Sequence, residues 1–482
     1  MKRFVSLLLI LLFILSSALS GCDQDEKSVQ NSSSQNNPTV TPDDRKDPND
    51  DRKAPDDRKE LKVTKAPDEK IINVLSYDDE LPIAIEKFKE LHPDFGYKIK
   101  VTDTSLVCSS HEVILDQALA AGNPDVPDIY SVESPYAVKY TQGEACQYAA
   151  AYKDLGIDVD NLLKVASIAK YSIDLGTNPE GELVSLCYQS TTGAFIYRRS
   201  IAKKVWGTDD PSAIKGIAGP GWDKFFEAAE DLKKKGYVIC SSADDIWQAT
   251  ARSADQAWVV GGKLVIDPKH EEFMDIAKKL RKKGYVNNTR EWTDEWYNDM
   301  KDGGRKKAFG FFGPTWFLNY RLLPNCGGKT IGKGTYGDWA VCESPTSFYW
   351  GGTWVLANKD SKVKDGVGEI IKWITLDTSE TGFQYLRANG KLGPGVKDAV
   401  PSAVVMRMSD AKIDFLGGQN LFDAFISAGD DTNGKNATKY DDTIDFYWLN
   451  QVHEYTDGKK SREKAIADFK KQVADNLDVI VE

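Results

Sequence analysis

Aromatic side chains in glycine-containing and polar loops are the residues of this chain with the clearest chemical meaning. The sequence holds 12 tryptophans and 20 tyrosines. An aromatic ring in a loop offers a flat apolar platform that can stack on the C–H face of a sugar ring, while nearby polar groups bond the sugar hydroxyls. Any single aromatic residue could equally lie in the core, so the argument depends on several such residues in loops taken together. The rings that stand beside glycine or polar residues in expected loops are Trp247, Trp316, Tyr349, Trp350 and Trp354.

Known catalytic motifs are missing from the sequence. Its four histidines form no His-Glu-x-x-His pair, and there is no Gly-x-Ser-x-Gly elbow. Gly328-Lys329-Thr330 looks like the end of a phosphate-binding loop, but Leu323 stands where its first glycine is needed. The segment 431–436 has the composition of a calcium loop without the closing glutamate, which favours a solvated turn. We therefore predict no enzyme activity, cofactor or metal site; a glycosidase carboxylate pair depends on spacing in the fold, so the sequence leaves it open.

The elements that position these residues alternate between short apolar runs and amphipathic helices. Strands are predicted over 71–75, 97–101 and 128–132, with helices over 82–91 and 112–121 between them. This βαβαβ order predicts an α/β fold with a mostly parallel, doubly wound sheet.

A second region of the same kind follows. A strand is predicted over 193–197, and helices over 222–235, 271–283, 369–376 and after Ser461, which can cap the last one. Four tryptophans lie in these predicted strands or on apolar helix faces, which is typical of core residues. They are Trp206, Trp222, Trp339 and Trp373.

The N-terminus has the pattern of an exported, anchored protein. Lys2 and Arg3 precede an apolar run and small residues that end in Gly21-Cys22, as in a secretory signal over residues 1–21. The last four residues, Leu-Ser-Gly-Cys, resemble the bacterial lipobox, which implies lipidation of Cys22. The segment 22–70 carries no aromatic residue and repeats Asp-Asp-Arg-Lys, so we predict a disordered, charged tether.

Charge, length and cysteine count limit the remaining possibilities. The net charge is −11; removal of Lys2 and Arg3 with the signal gives −13, which argues against nucleic acid as a partner. The roughly 410 residues after the tether exceed one core and suggest two domains. Six cysteines besides Cys22 permit about 15 disulfide pairings, and free buried thiols are equally compatible with the sequence. They are Cys108, Cys146, Cys187, Cys240, Cys326 and Cys342.

Five segments, in order, resemble the family 1 extracellular solute-binding proteins, the group that includes maltose-binding protein. Segment 126–130 is similar to the family's Pro-Asp-hydrophobic strand, and 193–199 to its first crossover strand. Segment 220–225 resembles a Pro-x-Thr-Trp helix start, although Gly221 replaces the threonine. Segments 307–316 and 350–359 resemble the glycine-and-tryptophan loop and the Gly-Gly return strand.

The resemblance implies a periplasmic-binding-protein-like fold, with two α/β lobes that are joined by crossover strands and close on a ligand. The first lobe would hold 71–189 and 346–393, and the second 190–345 and 394–482. Trp316 and Trp354 are implied as the best stacking platforms. Many relatives carry an acidic residue near Gln189 and Thr191, so this chain departs from the pattern there. The implied ligand-binding residues are Tyr77, Asp78, Glu133, Gln189, Thr191, Asp245, Trp247, Trp316, Tyr349, Trp350 and Trp354.

The function that this resemblance implies is capture of a carbohydrate for an ABC-type importer. The permease and ATPase subunits would be separate chains, and the binder would be a monomer, lipid-anchored through Cys22 on the extracellular side of the cell membrane. Two alternatives stay open. The same fold can bind a non-sugar solute such as a polyamine, phosphate or iron, and the abundant carboxylates leave a secreted glycoside hydrolase open.

Overall fold

A computed structural model of the chain describes residues 70–121 and 126–482. The predicted signal, Cys22 and all but the last residue of the predicted tether lie outside this part. Ten strands are described within it: β1 (Ile71–Ser76), β2 (Lys98–Asp103), β3 (Ile129–Glu133), β4 (Ser185–Cys187), β5 (Ala194–Arg198), β6 (Val259–Val260), β7 (Lys263–Leu264), β8 (Gly310–Gly313), β9 (Trp339–Cys342) and β10 (Thr353–Ala357).

Helices connect these strands and cover the sheets. The first group is α1 (Glu80–Leu91), α2 (His111–Ala121), α3 (Ser134–Thr141), α4 (Val159–Ala166), α5 (Lys170–Gly176), α6 (Arg199–Trp206), α7 (Pro211–Ala218), α8 (Gly221–Lys234), α9 (Trp247–Ala251) and α10 (Pro268–Lys283). The second group is α11 (Asp294–Met300), α12 (Thr315–Phe317), α13 (Leu323–Asn325), α14 (Lys364–Thr375), α15 (Phe383–Ala388), α16 (Ala403–Met408), α17 (Asp423–Asp431), α18 (Asp441–Thr456) and α19 (Arg462–Asn476). A π-helical turn at Leu318–Leu322 joins α12 to α13.

Local sequence signals explain where several helices begin and end. The Asp267 side chain accepts the Lys269 N–H at the start of α10, and Gly284 ends that helix with a φ of 67°, a left-handed conformation that glycine adopts without steric cost. The Ser461 hydroxyl accepts the Lys464 N–H at the start of α19, as predicted. Helix α8 buries Phe225, with Ala228, Ala229 and Leu232, on its apolar face.

The first sheet has the strand order β2-β1-β3-β10-β4. Strand β1 runs parallel to β2 and β3, as the βαβαβ pattern predicts, whereas β10 is antiparallel to both β3 and β4. The second sheet, β8-β5-β9, is antiparallel throughout. The expectation of a mostly parallel arrangement is therefore wrong for the second sheet, and in the first sheet it holds for only two of the four strand pairings. The physical reason is that β5 and β10 each enter their sheet from the other lobe, so they run against their neighbours.

The chain passes between the two sheets along three segments that lie side by side. The Gly193 N–H donates to the Phe348 carbonyl (2.8 Å), and the Trp350 N–H donates to the Thr191 carbonyl (2.9 Å). The first and second crossings thus form a short antiparallel ribbon. The third crossing joins it through the Ser190 N–H and the Ala399 carbonyl (3.0 Å). The architecture is two-lobed, as expected, while the exact lobe bounds given above stay a prediction.

Each lobe has its own core. Ile72, Phe88 and Val355 are among the buried residues around the first sheet, and Phe195, Phe225 and Trp448 are among those around the second. Of the four tryptophans predicted as core, Trp339 and Trp373 are buried. Trp206 and Trp222 are half-buried and pack against the second-lobe core.

The cysteines with described side chains are free thiols. Of the six cysteines, Cys108 has no described side chain, and the other five carry free thiols: Cys146, Cys187, Cys240, Cys326 and Cys342. Among residues 70–121 and 126–482, no helix combines the length and apolar character needed to cross a bilayer.

Candidate functional site

A cavity of about 1110 Å³ lies between the lobes and is lined by residues of both. The first lobe contributes the loops that follow β1 and β3, and the second lobe contributes the segments around α9, α12 and α18. Eight of the eleven predicted ligand-binding residues line this cavity: Tyr77, Asp78, Glu133, Gln189, Trp247, Trp316, Tyr349 and Trp350.

Three tryptophans form an aromatic wall of the cavity, and we call Trp292, Trp316 and Trp350 the tryptophan wall. The ring planes of Trp292 and Trp316 are nearly parallel, at 6°, with centroids 6.5 Å apart. Trp350 stands at 68° to both, with centroid distances of 5.8 and 5.0 Å. The Trp316 Nε1–H donates to the Trp350 carbonyl (2.8 Å), so the orientation of that ring is fixed.

Trp292 was not identified from the sequence. Its side chain is 48% exposed, and its backbone φ of 66° lies in the left-handed region. For a bulky residue this conformation costs about 1–3 kcal/mol and is found mainly at functional sites. The sequence signal that could have found it is a tryptophan in the polar run 287–295, just before Thr293, which caps α11.

The turn Gly351-Gly352 lines the cavity beside the tryptophan wall, and its backbone conformation requires glycine. Gly352 has a φ of 114°, and a Cβ there would lie 3.0 Å from the Trp354 ring and 3.1 Å from the Thr191 methyl group. Thr191 is fully buried and does not line the cavity; its hydroxyl donates to the Gly351 carbonyl (2.8 Å). We therefore reassign Thr191 from a ligand contact to a support of this turn.

Trp354, expected as a stacking platform, lies in the core of the first lobe. It is fully buried on strand β10 and packs edge-on against Tyr171, with ring centroids 6.2 Å apart. Trp354 comes just after Gly351-Gly352, and the sequence therefore predicts it in a loop, as it does Trp316. The strand begins at Thr353, however, and its alternation turns the next side chain into the core.

Tyr349 and Trp247 line the cavity with little exposed surface. Tyr349 is 5% exposed and stacks on Tyr171 at 5.0 Å. Trp247 is 1% exposed and packs against Phe273, with ring centroids 4.8 Å apart. Both rings therefore present only an edge or a small part of a face to a ligand.

Asp78 is held by four hydrogen bonds. Its Oδ1 accepts the N–H groups of Glu80 and Leu81 at 3.1 and 3.2 Å, which caps α1. Its Oδ2 accepts the hydroxyls of Tyr188 (2.5 Å) and Thr353 (3.1 Å). Burial and, next, the nearby Glu80 raise the pKa of Asp78 to about 6. This carboxyl fixes the loop that presents Tyr77 to the cavity.

Glu133 faces the cavity at the end of β3, where it precedes helix α3. Burial raises its pKa to about 7; a hydrogen bond from Tyr77 lowers it, and Asp442 of the second lobe raises it further. A carboxyl in this position can accept or donate a hydrogen bond, depending on pH. It is therefore suited to a ligand hydroxyl.

Asp245 does not line the cavity, and its neighbour Asp244 does. Asp245 is 3% exposed and accepts hydrogen bonds from Trp296 Nε1 (2.7 Å) and the Ser242 N–H (2.8 Å). Burial raises its pKa to about 8. Asp244 instead bonds His453 Nε2 at 2.8 Å. The carboxyl group that lines the cavity is thus one residue before the predicted one, because the tight 3₁₀ turn at Asp244–Ile246 points successive side chains in different directions.

Arginines of the cavity were also missed, since they are scattered over the sequence. Arg252 bonds Asp441 (3.1 Å) and Asp445 (3.2 Å) of α18. Arg387 on α15 makes two bonds to Glu80, at 2.9 and 3.0 Å. Their planar donors hold carboxylates in fixed geometry. Further lining residues that the sequence did not reveal include Tyr136, Arg290, Glu291, Tyr320, Arg321 and Phe446.

The arrangement is suited to binding. Flat aromatic faces and fixed polar groups converge on one cavity, whose volume of about 1110 Å³ is slightly above the roughly 300–1,000 Å³ usual for small-molecule sites. Within residues 70–121 and 126–482, no three His, Cys, Asp or Glu side chains come together as they would to ligate a metal ion.

The fold is similar to that of several solved solute-binding proteins. The chain is similar to the sugar-binding protein MalE of Xanthomonas citri (TM-score 0.64, 12% identity, covering 84% of this chain and 96% of that one). It is also similar to a family 1 extracellular solute-binding protein of Alicyclobacillus acidocaldarius (TM-score 0.61, 14% identity, 85% and 99%). A third similar structure is the galacto-N-biose/lacto-N-biose I-binding protein of Bifidobacterium longum (TM-score 0.57, 17% identity, 86% and 100%).

The sequence itself carries the family assignment. No curated protein matches the chain. The model of the bacterial extracellular solute-binding protein family matches residues 84–412, which is more than half of the chain and includes strands of both sheets and all three crossings. This protein is therefore a member of the bacterial extracellular solute-binding protein family.

Proposed function

We propose that this protein captures a carbohydrate of more than one ring and delivers it to an ABC-type importer. The observation that carries the proposal is the tryptophan wall inside a cavity of about 1110 Å³. Sugar rings bury their C–H faces well against indoles, because a rigid ring loses little entropy on binding. The cavity volume favours an oligosaccharide over a single ring.

Polar groups around the wall supply partners for hydroxyls. Gln189, Glu133, Arg290 and Asn450 line the same cavity, and they offer both donors and acceptors. Several structurally similar proteins were solved with oligosaccharides, among them β-1,6-galactobiose, lacto-N-biose and maltotetraose. The identity of 15–18% shows a shared fold. The sugars bound by these proteins are the reason for proposing a carbohydrate rather than another solute.

In the proposed role, the protein binds and releases the sugar without changing it chemically. A sugar that contacts both lobes binds the closed form more tightly and shifts the open–closed equilibrium toward it. The closed form would then be recognised by permease subunits on separate chains. The proposal includes lipidation of Cys22, which would hold a monomeric binder on the extracellular face of the cell membrane.

A ligand screen tests this function. The full chain is titrated calorimetrically with glucose, maltotetraose, lacto-N-biose and β-1,6-galactobiose, and its melting temperature is measured with each. A sugar at 100 times its Kd should add about 2.7 kcal/mol of stability, which for a chain of this size corresponds to a melting shift of about 3 °C. Binding of a polyamine, phosphate or iron in place of any sugar would contradict the proposal.

Two controls sharpen the screen. Trp292→Ala should abolish or strongly weaken the response to the active sugar, whereas Trp222→Ala, which removes a half-buried indole packed on the second-lobe core, should leave the affinity unchanged. Reducing ends are measured after incubation with each oligosaccharide. Their release by the wild-type protein would favour a glycoside hydrolase and overturn the binding role.

A further inference from the structure

A buried carboxylate on the third crossing joins side chains from both lobes. Asp398 is 1% exposed. It accepts hydrogen bonds from Gln189 Nε2 (2.6 Å) on the first crossing, from Arg387 Nη2 (2.7 Å) on α15 of the first lobe, and from the Thr315 hydroxyl of the second lobe. These three donors come from positions far apart in the sequence.

The connection continues into the first lobe through Arg387. This side chain is 6% exposed, and its Nη1 and Nη2 donate to Glu80 at 2.9 and 3.0 Å. Glu80 begins α1, directly after the loop in which Asp78 is fixed. The orientation of this loop and that of Arg387 are therefore tied together.

On the other side, the connection reaches the tryptophan wall through Thr315. Thr315 begins α12 and immediately precedes Trp316. It is fully buried and does not line the cavity. Besides donating to Asp398, its hydroxyl oxygen accepts the Ala399 N–H at 3.2 Å. The start of the segment that carries Trp316 is thus bonded to the third crossing.

We propose that Asp398 and Arg387 are positioning residues that couple the tryptophan wall of the second lobe to the Tyr77–Asp78 loop of the first. Charged hydrogen bonds in a buried site are strong, and loss of one partner leaves another group unsatisfied. A perturbation at Thr315 should therefore reach the loop at the far end of the network. The network sets the orientation of the tryptophan wall relative to the Tyr77–Asp78 loop. It thereby sets the affinity for a ligand that contacts both.

Substitutions at Thr315 test this coupling without touching the cavity lining. Thr315→Val keeps the shape and removes the hydroxyl; Thr315→Ser keeps the hydroxyl and is the matched control. Hydrogen exchange is measured on the ligand-free full chain. In the valine variant, amide exchange should rise about tenfold in 315–325 and also in 77–82, since coupled regions open together. Helix α19 (Arg462–Asn476) should be unchanged, and the serine variant should resemble the wild type.

The reciprocal substitution excludes a purely local effect. Glu80→Gln should raise exchange in 315–325, because coupling between two sites acts equally in both directions. The Tyr320 hydroxyl lies 3.4 Å from Glu80 Oε1 and offers a second route, so Tyr320→Phe is measured alone and in combination. An effect of Glu80→Gln that persists in the Tyr320→Phe background supports the network.

The outcomes separate this proposal from the proposed function. Exchange that changes only near the mutated residue, or equally across the whole chain, would overturn the coupling whatever the ligand proves to be. If the screen yields a sugar, Thr315→Val should weaken its binding about tenfold and Thr315→Ser less than about twofold. A failed screen removes only this last measurement, since the exchange experiment needs no ligand.

Discussion

Trp316 and Trp354 both follow glycines in the sequence, yet they should respond in opposite ways to replacement by alanine. Trp354 is fully buried in the first-lobe core, whereas Trp316 is half-buried in the tryptophan wall. Trp354→Ala should mainly lower the stability of the fold. Trp316→Ala should mainly lower the affinity for the ligand.

The stability cost at Trp354 follows from its packing. Replacing a buried tryptophan by alanine costs about 3–5 kcal/mol, through lost transfer free energy and the cavity left behind. Among the described residues its indole N–H has no hydrogen-bond partner, so no hydrogen-bond loss is added. For an unfolding unit of about 410 residues, 4 kcal/mol corresponds to a fall in melting temperature of about 5 °C.

The affinity cost at Trp316 follows from its place in the wall. Its single described hydrogen bond goes to the Trp350 carbonyl, and water entering the widened cavity can replace it. The indole is half-buried and packs against Phe317 and Trp350, so the stability loss should be smaller than that at the fully buried Trp354. Loss of a central aromatic contact typically costs about 2–4 kcal/mol of binding, which is about 30- to 1000-fold in Kd.

Urea denaturation and calorimetric titration with the sugar identified in the screen give both quantities for each variant. The reasoning about the site would be refuted if Trp316→Ala bound that sugar with wild-type affinity. It would equally be refuted if Trp354→Ala kept wild-type stability but lost binding, since the indole would then face the ligand rather than the core.

Two further predictions concern a buried carboxyl and the N-terminus. Because the folded state raises the pKa of Asp245 to about 8 from an unfolded value near 4, the folded state holds the extra proton and stability should fall as the pH rises through this window. Between pH 6 and 8, the free energy of unfolding of the wild type should decline by about 1 kcal/mol per pH unit more than that of Asp245→Asn; equal slopes in urea denaturation would contradict the assignment. In the producing bacterium, Cys22→Ala should release the protein into the medium or leave an unprocessed precursor, as judged by fractionation and mass, and unchanged detergent-extractable attachment would exclude the lipid anchor.

Periodicity and capping residues predicted much of the fold. The predicted helix 82–91 is found as Glu80–Leu91, and the predicted helix 271–283 as Pro268–Lys283. These succeed because apolar spacing and cap residues act within a few positions of each other. The antiparallel direction of β10 was not predictable in this way. It depends on the crossing of the chain between lobes, which is a long-range property.

The site was predicted less completely, for a related reason. Loop tryptophans beside glycine are recognisable in sequence, but which way each ring points depends on where the neighbouring strand or turn begins. Asp245 is buried whereas its neighbour Asp244 lines the cavity, and Trp354 is buried whereas Trp350, four residues earlier, lines it. Arg252 bonds carboxylates that lie 189 and 193 positions later in the chain, and spacing along a sequence carries no signal for such pairs.

Hydrogen bonds and packing contacts within the protein fix the shape of the cavity without a ligand. Asp78 accepts four hydrogen bonds, the Trp316 indole is fixed by the Trp350 carbonyl, and the Gly352 turn packs tightly against Trp354 and Thr191. Groups fixed in advance lose little freedom when a ligand binds, so more of the stacking energy remains as affinity. Thr191 and Trp354 do not line the cavity, but both pack against Gly352 in the turn that follows Trp350. We therefore expect them to support one ring of the tryptophan wall without touching a ligand.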